Sequence, residues 1–289
     1  MTNPQIIENW LINYNWFPIA ADHCLDATSE YYESIGVSKL HDKANFNPEA
    51  VEDGDIVFVK TDFIYHGVFQ KEFLPKIKNN FTLVSGASAY SVDHAADQIL
   101  FNNLVKYWFC TNPPQIGSKK IVPLQIGFEE IERDGGDQKI LKNHNDHQIK
   151  WEDKSDKLYL PYHTVGTNPK RDDQIKYLKS LDYVDIETEK LSFNEYLEKM
   201  GRYKFVICLP GAGYDTHRNY ESLLVGSVPI MITGPIKKVY DYDKLPSIFL
   251  DELSKLTSSL SMYKFLFKPV QNFLKIKFHK ERILEYAKH

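Results

Sequence analysis

The segment from Lys204 to Gly234, KFVICLPGAGYDTHRNYESLLVGSVPIMITG, constrains the fold more than any other part of the chain. Phe205 to Leu209 is an apolar run without polar alternation, closed by Pro210. Such a run predicts a strand covered on both faces and therefore parallel to its neighbours. Gly211-Ala212-Gly213 follows at its C-terminal end, where glycine permits positive φ and lets a ligand approach without meeting a Cβ. Asp215 or Thr216 is placed to cap a helix from about Thr216 to Val225, with Gly226 to stop it and Val228 to Ile232 as the next strand. The segment reads as one βαβ unit.

At 100° per residue, Tyr220, Leu223 and Leu224 fall on the side of this helix that would face the sheet, while Arg218 and Glu221 share another side. Unpaired amides at the helix start and the forked donor of Arg218 suit a diphosphate, with Gly211, Gly213, Asp215, Thr216 and His217 around it. Glu221, one turn further in, is placed to accept from ribose hydroxyls. The plainer reading is an exposed Arg218–Glu221 ion pair of small worth and glycines that only make a turn. The crowding of Gly, Asp, Thr, His, Arg and Glu at a strand end favours a site, because open α/β sheets bind ligands there.

The stretch PGAGYDTHRNYESLLVGSVPIMI resembles the carboxy-terminal signature of the exostosin-like glycosyltransferases: Pro-x-Gly-x-Gly-x-Asp-Thr-x-Arg, a Glu-containing helix, then Gly-x-Ile/Val-Pro-Ile/Val. The likeness is nearest to the small soluble xylosyltransferase-type members of viral origin. It implies a GT-B fold, two Rossmann-like parallel-sheet domains facing a central cleft, with a sugar nucleotide at this turn. It also implies inverting transfer of a sugar, xylose favoured, from a UDP-sugar to a glycan acceptor without a metal. Ala212, where the family more often has a larger or polar residue, and Tyr220, where Trp is common, depart from the pattern.

The 289 residues favour two domains, and the net charge of -4 argues against a nucleic-acid partner. Cys24, Cys110 and Cys208 are odd in number and sit in apolar settings, as expected of buried free thiols in a reducing compartment. The start of the chain lacks a basic, apolar leader, and no run of about 18 apolar residues occurs, so a cytoplasmic protein is expected.

Strands expected at Ile56 to Val59, Phe81 to Val84 and Ile121 to Gly127 alternate with helices at Phe69 to Ile77 and Ala95 to Phe109; a further helix is expected near Ser29 to Ile35. Residues 129 to 156, with the cluster His144-Asn145-Asp146-His147, carry no hydrophobic period and read as an exposed linker, which places a domain boundary near Lys154. The first domain is thus 1–154. The second, 155–262, is expected to hold a strand at Leu158 to Tyr162, a helix at Asp172 to Ser180, a strand at Tyr183 to Ile186, and a helix at Ser192 to Met200 opened by a Ser192/Glu195 capping box. Residues 263–289 form a basic helix that either packs back on the first domain or touches a membrane surface.

Asn168, Lys170 and Arg171 follow the first strand of the second domain and would join Arg218 at the diphosphate, two arginines standing in for a divalent ion. The base that deprotonates the acceptor is expected to be Asp62, at the end of the Ile56 to Val59 strand, with Asp93 and His94 as alternates and Tyr65, His66 and Ser88 along the acceptor side. Asp53-Gly54-Asp55 and Asp241-Tyr242-Asp243 fit an Asp-x-Asp metal motif, but the first precedes a strand and the second reads as loop; His144, Asp146 and His147 read as linker rather than ligands. No metal or cofactor beyond the sugar nucleotide is expected. The rival readings are a GDP-fucose-dependent enzyme and a non-catalytic binding module; the missing third glycine weakens a dinucleotide reading.

Overall fold

The computed structural model describes residues 11–13, 17–18, 21–26, 46–130, 133–164, 169–257 and 276–287. The chain divides into two compact units, the first comprising Met1–Ile126 and Lys275–His289 and the second Gly127–Leu274. Each is an α/β unit on a five-stranded parallel sheet.

In unit 1 the strands β1 (His23–Leu25), β2 (Asp55–Lys60), β3 (Phe81–Gly86), β4 (Val105–Cys110) and β5 (Ile121–Pro123) lie in the order of the chain. Val57 and Val59 enter one apolar cluster with Leu83, Ile99 and Trp108, while Ile56 and Phe58 enter another with Val84, Phe109 and Ile283. Alternate side chains of one strand therefore feed cores on opposite faces, which is why β2 reads as an unbroken apolar run. Ile283 comes from the helix Ile276–Ala287, whose Tyr286 stands edge-on to Tyr107 at 4.7 Å and to Phe109 at 5.4 Å. The C-terminal helix is thus a core element of unit 1.

Two local expectations differ from the structure. The stretch Ala95 to Phe109 is two elements, a short helix Ala96–Leu100 and strand β4. Asn102 Oδ1 accepts from Leu104 N at 2.8 Å and closes the turn between them, and the aromatic and β-branched run that follows favours a strand. The helix expected at Phe69 to Ile77 is a π-turn, Phe69–Phe73, followed by a 3₁₀ turn, Leu74–Lys76, because Pro75 has no N–H to continue an α ladder. Strand β1, which the sequence did not announce, pairs with β2 through His23↔Val57. The helix expected near Ser29 to Ile35 lies outside the described residues.

Unit 2 carries β6 (Ser155–Leu160), β7 (Val184–Ile186), β8 (Tyr203–Ile207), β9 (Val228–Ile232) and β10 (Ile248–Leu250) in the order β10-β9-β8-β6-β7. From β6 the chain steps outward to β7, then returns to the other side of β6 and continues through β8, β9 and β10. The order reverses between β6 and β8, so loops leaving these two strands part and open a crevice at their C-terminal ends. The helix Phe193–Gly201 begins with the expected Ser192/Glu195 capping box.

The units divide after Ile126, where the sequence reading put the boundary near Lys154. Residues 134–154 are not a free linker. Asp137 caps the helix Gln138–Asp146 through Lys139 N at 2.8 Å and Ile140 N at 3.2 Å, and Leu141 is fully buried. Gln148 Nε2 and Lys154 Nζ donate to Leu224 O (2.6 Å) and Val225 O (2.8 Å), so the polar residues satisfy the end of a neighbouring helix. No helix among the described residues is long and apolar enough to cross a membrane.

Candidate functional site

The β8–β9 connection follows the sequence pattern closely. The helix is His217–Leu224, Thr216 holds the extended N-cap conformation, and Gly226 adopts φ +73 just past the C-terminus. Tyr220, Leu223 and Leu224 are buried as their spacing requires. Gly211 and Gly213 do not take positive φ, and a Cβ added to Gly211 would meet Thr216 Cγ2 at 3.8 Å, an ordinary contact. Conformation therefore does not demand glycine at position 211; what Gly211 does is line the two cavities described below.

Asp215, expected to touch a ligand, has both carboxylate oxygens engaged within the fold. It is 6% exposed, with Oδ1 accepting from Asn219 Nδ2 at 3.1 Å and Oδ2 from Tyr220 Oη at 2.6 Å. Its carboxylate ties the chain just before the helix to the helix's own first turn. Thr216 Oγ1 lies 3.1 Å from Asn219 Oδ1 and makes no cap bond to the backbone, and His217 donates from Nδ1 to Gly127 O at 2.8 Å.

Arg218 and Glu221 open onto a cavity of about 820 Å³ in the crevice beyond β6 and β8, which Arg133, Tyr162, Lys190 and Tyr196 also line. No ion pair joins Arg218 to Glu221, so the plainer reading of this helix face does not hold. Glu221 is buried and accepts from Tyr196 Oη at 2.7 Å, whereas Arg218 Nε is enclosed without a hydrogen-bond partner. Burial pushes the Glu221 carboxyl above the usual carboxylate range, and the Tyr196 hydroxyl, His217 and Arg218 pull against it. Burial, reinforced by the Glu221 charge, holds the Tyr196 hydroxyl well above its ordinary value, so Tyr196 stays a donor at neutral pH. Cys208, under the same helix, is pushed up to about 12 by burial and is no nucleophile.

His163, three residues beyond β6, went unnoticed in the sequence, where nothing separates it from any loop histidine. It is 7% exposed; Nδ1 donates to Pro161 O at 2.6 Å, and Nε2 is enclosed without a partner. Burial first, then the charge of Arg218, bring its pKa down to about 3; the Pro161 bond opposes this and Arg171 adds to it. The ring is neutral and offers an acceptor nitrogen. Both arginines act on this one imidazole, although Arg218 and Arg171 line different cavities.

A second cavity, of about 190 Å³, lies on the other side of Gly211 and is lined by Lys170, Arg171, Gln174 and Tyr214. Arg171 Nη2 donates to Thr164 O at 3.2 Å, and Lys170 is exposed in the first turn of the helix Pro169–Leu178. The Tyr214 ring lies on the bare face of Gly234, where an added Cβ would come within 2.6 Å of Cδ1. Asn168 falls outside the described residues.

In unit 1, Asp62 occupies the first turn after β2, half-buried, with Oδ2 enclosed and without a hydrogen-bond partner. Asp93 is committed to Ser91 Oγ and Gln115 N, and His94 Nε2 to Tyr65 O at 2.9 Å. The Asp-x-Asp pairs are structural: Asp53 accepts from Asn80, Asp55 pairs with His23 at 2.8 Å, Asp241 pairs with Lys237, and Asp243 is buried at the end of the helix Ile236–Asp243, not in a loop. Among the described residues no three His, Cys, Asp or Glu side chains converge as a metal site would need, and Cys24, Cys110 and Cys208 are buried and free. No protein-family model matches the chain, and no curated protein matches it either.

Proposed function

We propose that unit 2 binds a nucleoside diphosphate sugar and that the protein is an inverting glycosyltransferase of the GT-B type, moving a sugar from UDP to a hydroxyl of a glycan. One observation carries the reading: Arg218 and Glu221, not paired with each other, face a nucleotide-sized cavity at the point where the strand order reverses. The resemblance of the same residues to the exostosin-like signature supports it and makes xylose the first sugar to try.

In the reaction an acceptor oxygen attacks the anomeric carbon as the bond to the UDP oxygen breaks, and the acceptor proton passes to a base. Negative charge grows on the departing diphosphate. Arg218, Arg171 and the amides at the start of the His217–Leu224 helix supply fixed positive charge for it, the role a divalent ion fills in other transferases. Glu221 holds the ribose hydroxyls, and its position is held by Tyr196. Asp62 is the proposed base.

A second reading, a sugar-nucleotide-binding module without turnover, draws support from Asp62 itself, whose Oδ2 is enclosed. Calorimetric titration with UDP, GDP and NAD, with and without Mg²⁺, tests the shared part: UDP should bind, and binding by none of the three sinks both readings. Release of UDP from UDP-xylose with a glycan present, abolished by Asp62→Asn, separates the enzyme from the module.

A further inference from the structure

We propose that unit 1 carries a carbohydrate-binding platform at the C-terminal edge of its sheet, with Tyr90 as the stacking face. Four rings meet there. Tyr65 and Tyr90 stack at 4.2 Å between centroids and 14° between planes. His66 stands edge-on to both, at 5.1 Å and 6.1 Å, and His94 edge-on to Tyr65 at 4.9 Å. Tyr65 and His66 follow β2, whereas Tyr90 and His94 lie in the loop after β3, so the cluster joins the ends of two neighbouring strands.

The loop that presents Tyr90 is built rather than slack. Tyr90 N donates to Ser88 Oγ at 3.3 Å, Asn112 Nδ2 donates to Ser88 O at 3.1 Å, and Asp93 ties the far end to Gln115 N. Ala87 at φ 57 and Asn112 at φ 47 hold left-handed backbone in the turns after β3 and β4. Strain of this kind in non-glycine residues gathers where a loop is shaped for a ligand. Along the same edge Thr61 Oγ1 and Thr111 Oγ1 are enclosed without hydrogen-bond partners. The register Lys60↔Gly86 and Ser85↔Cys110 sets these two threonines on either side of the Gly86–Ala87 turn.

Packing accounts for the inner ring: Tyr65 is partly covered and its carbonyl is bonded to His94. It does not account for Tyr90, which is 43% exposed while its inner face is already covered by Tyr65. A flat aromatic face flanked by two exposed imidazoles fits a sugar: ring C–H groups lie on Tyr90, and hydroxyls exchange hydrogen bonds with His66 and His94. The platform belongs to unit 1 alone and does not rest on the reading of unit 2; should that reading hold, the sugar held here is the acceptor.

The test is saturation-transfer NMR on the full chain with xylotetraose, cellotetraose and N-acetylchitotetraose as separate probes. At least one should bind saturably; Tyr90→Ala should weaken it about tenfold or more, and Tyr90→Phe, which keeps the ring, should leave it within about threefold. Absence of binding by all three probes, or equal binding by wild type and Tyr90→Ala, overturns the platform. UDP titration of the same samples keeps the two proposals apart. A platform that fails while UDP binds leaves the unit 2 reading standing, and Tyr90-dependent sugar binding without UDP binding does the reverse.

Discussion

Arg218 and Glu221 lie one helical turn apart with opposite charges, yet they are not partners: Glu221 accepts from Tyr196 Oη at 2.7 Å, and Arg218 keeps an enclosed Nε with no hydrogen bond. A pair at this spacing on an exposed helix would normally close. Burial works against the Arg218 charge, while Tyr196, Cys208 and Glu221 together hold its pKa above the usual value; an incoming anion would add to that arrangement.

Replacing Arg218 by Met should therefore separate binding from stability. Loss of a charge-assisted contact lowers UDP affinity about tenfold to a hundredfold, while the thermal midpoint falls little, because removing an enclosed charge offsets the lost contact with Tyr196. Calorimetry and a thermal melt on the same sample decide it; a midpoint several degrees lower with intact UDP affinity would show Arg218 to be structural.

Tyr196→Phe removes the hydroxyl that donates to Glu221 Oε2 and leaves that buried carboxylate oxygen the full cost of burial. Because the Tyr196 bond pulls the Glu221 pKa down, its loss should push that pKa further up. We expect UDP affinity to fall about fivefold or more, from a stranded acceptor, and pyrophosphate affinity to fall less. Equal losses for UDP and pyrophosphate would contradict the assignment of Glu221 to the ribose.

Asp215→Ala should behave as a core lesion. It strands Tyr220 Oη and Asn219 Nδ2, so urea denaturation should show a loss of about 2–3 kcal/mol. UDP affinity measured on the folded fraction should fall less than for Arg218→Met. The reverse ranking would restore Asp215 to the ligand.

Lys154 predicts a pH dependence. It is buried against Val225 O and Ser227 Oγ, and burial pulls its ammonium down to about 7 from 10.5. Below about pH 7 the folded and unfolded forms are both charged, and the burial penalty is present in full. Between about 7 and 10.5 the unfolded chain keeps a proton that the folded form has released, so this residue makes stability rise with pH. The wild-type minus Lys154→Met difference in unfolding free energy, measured in urea from pH 6 to 9.5, should therefore grow with pH above about 7; a flat difference rules this out.

The sequence by itself determined the parts of this protein whose causes are local. The apolar run of β8, the helix His217–Leu224 and the Ser192/Glu195 box are legible because a strand period, a helix period and a cap each involve residues a few positions apart. Local signals also misled: Ile99, Leu100, Leu104 and Trp108 satisfy a helical period by chance, and 129 to 156 reads as linker because polar side chains such as Gln148 and Lys154 serve a helix some seventy positions later. What only the tertiary structure decided is which polar groups meet. Tyr196 reaches Glu221 across 25 positions, Asp215 turns inward to Tyr220, and His163 comes under the charge of both Arg171 and Arg218. Those meetings follow from strand order and side-chain packing, which bring distant stretches together with no periodic trace in the chain.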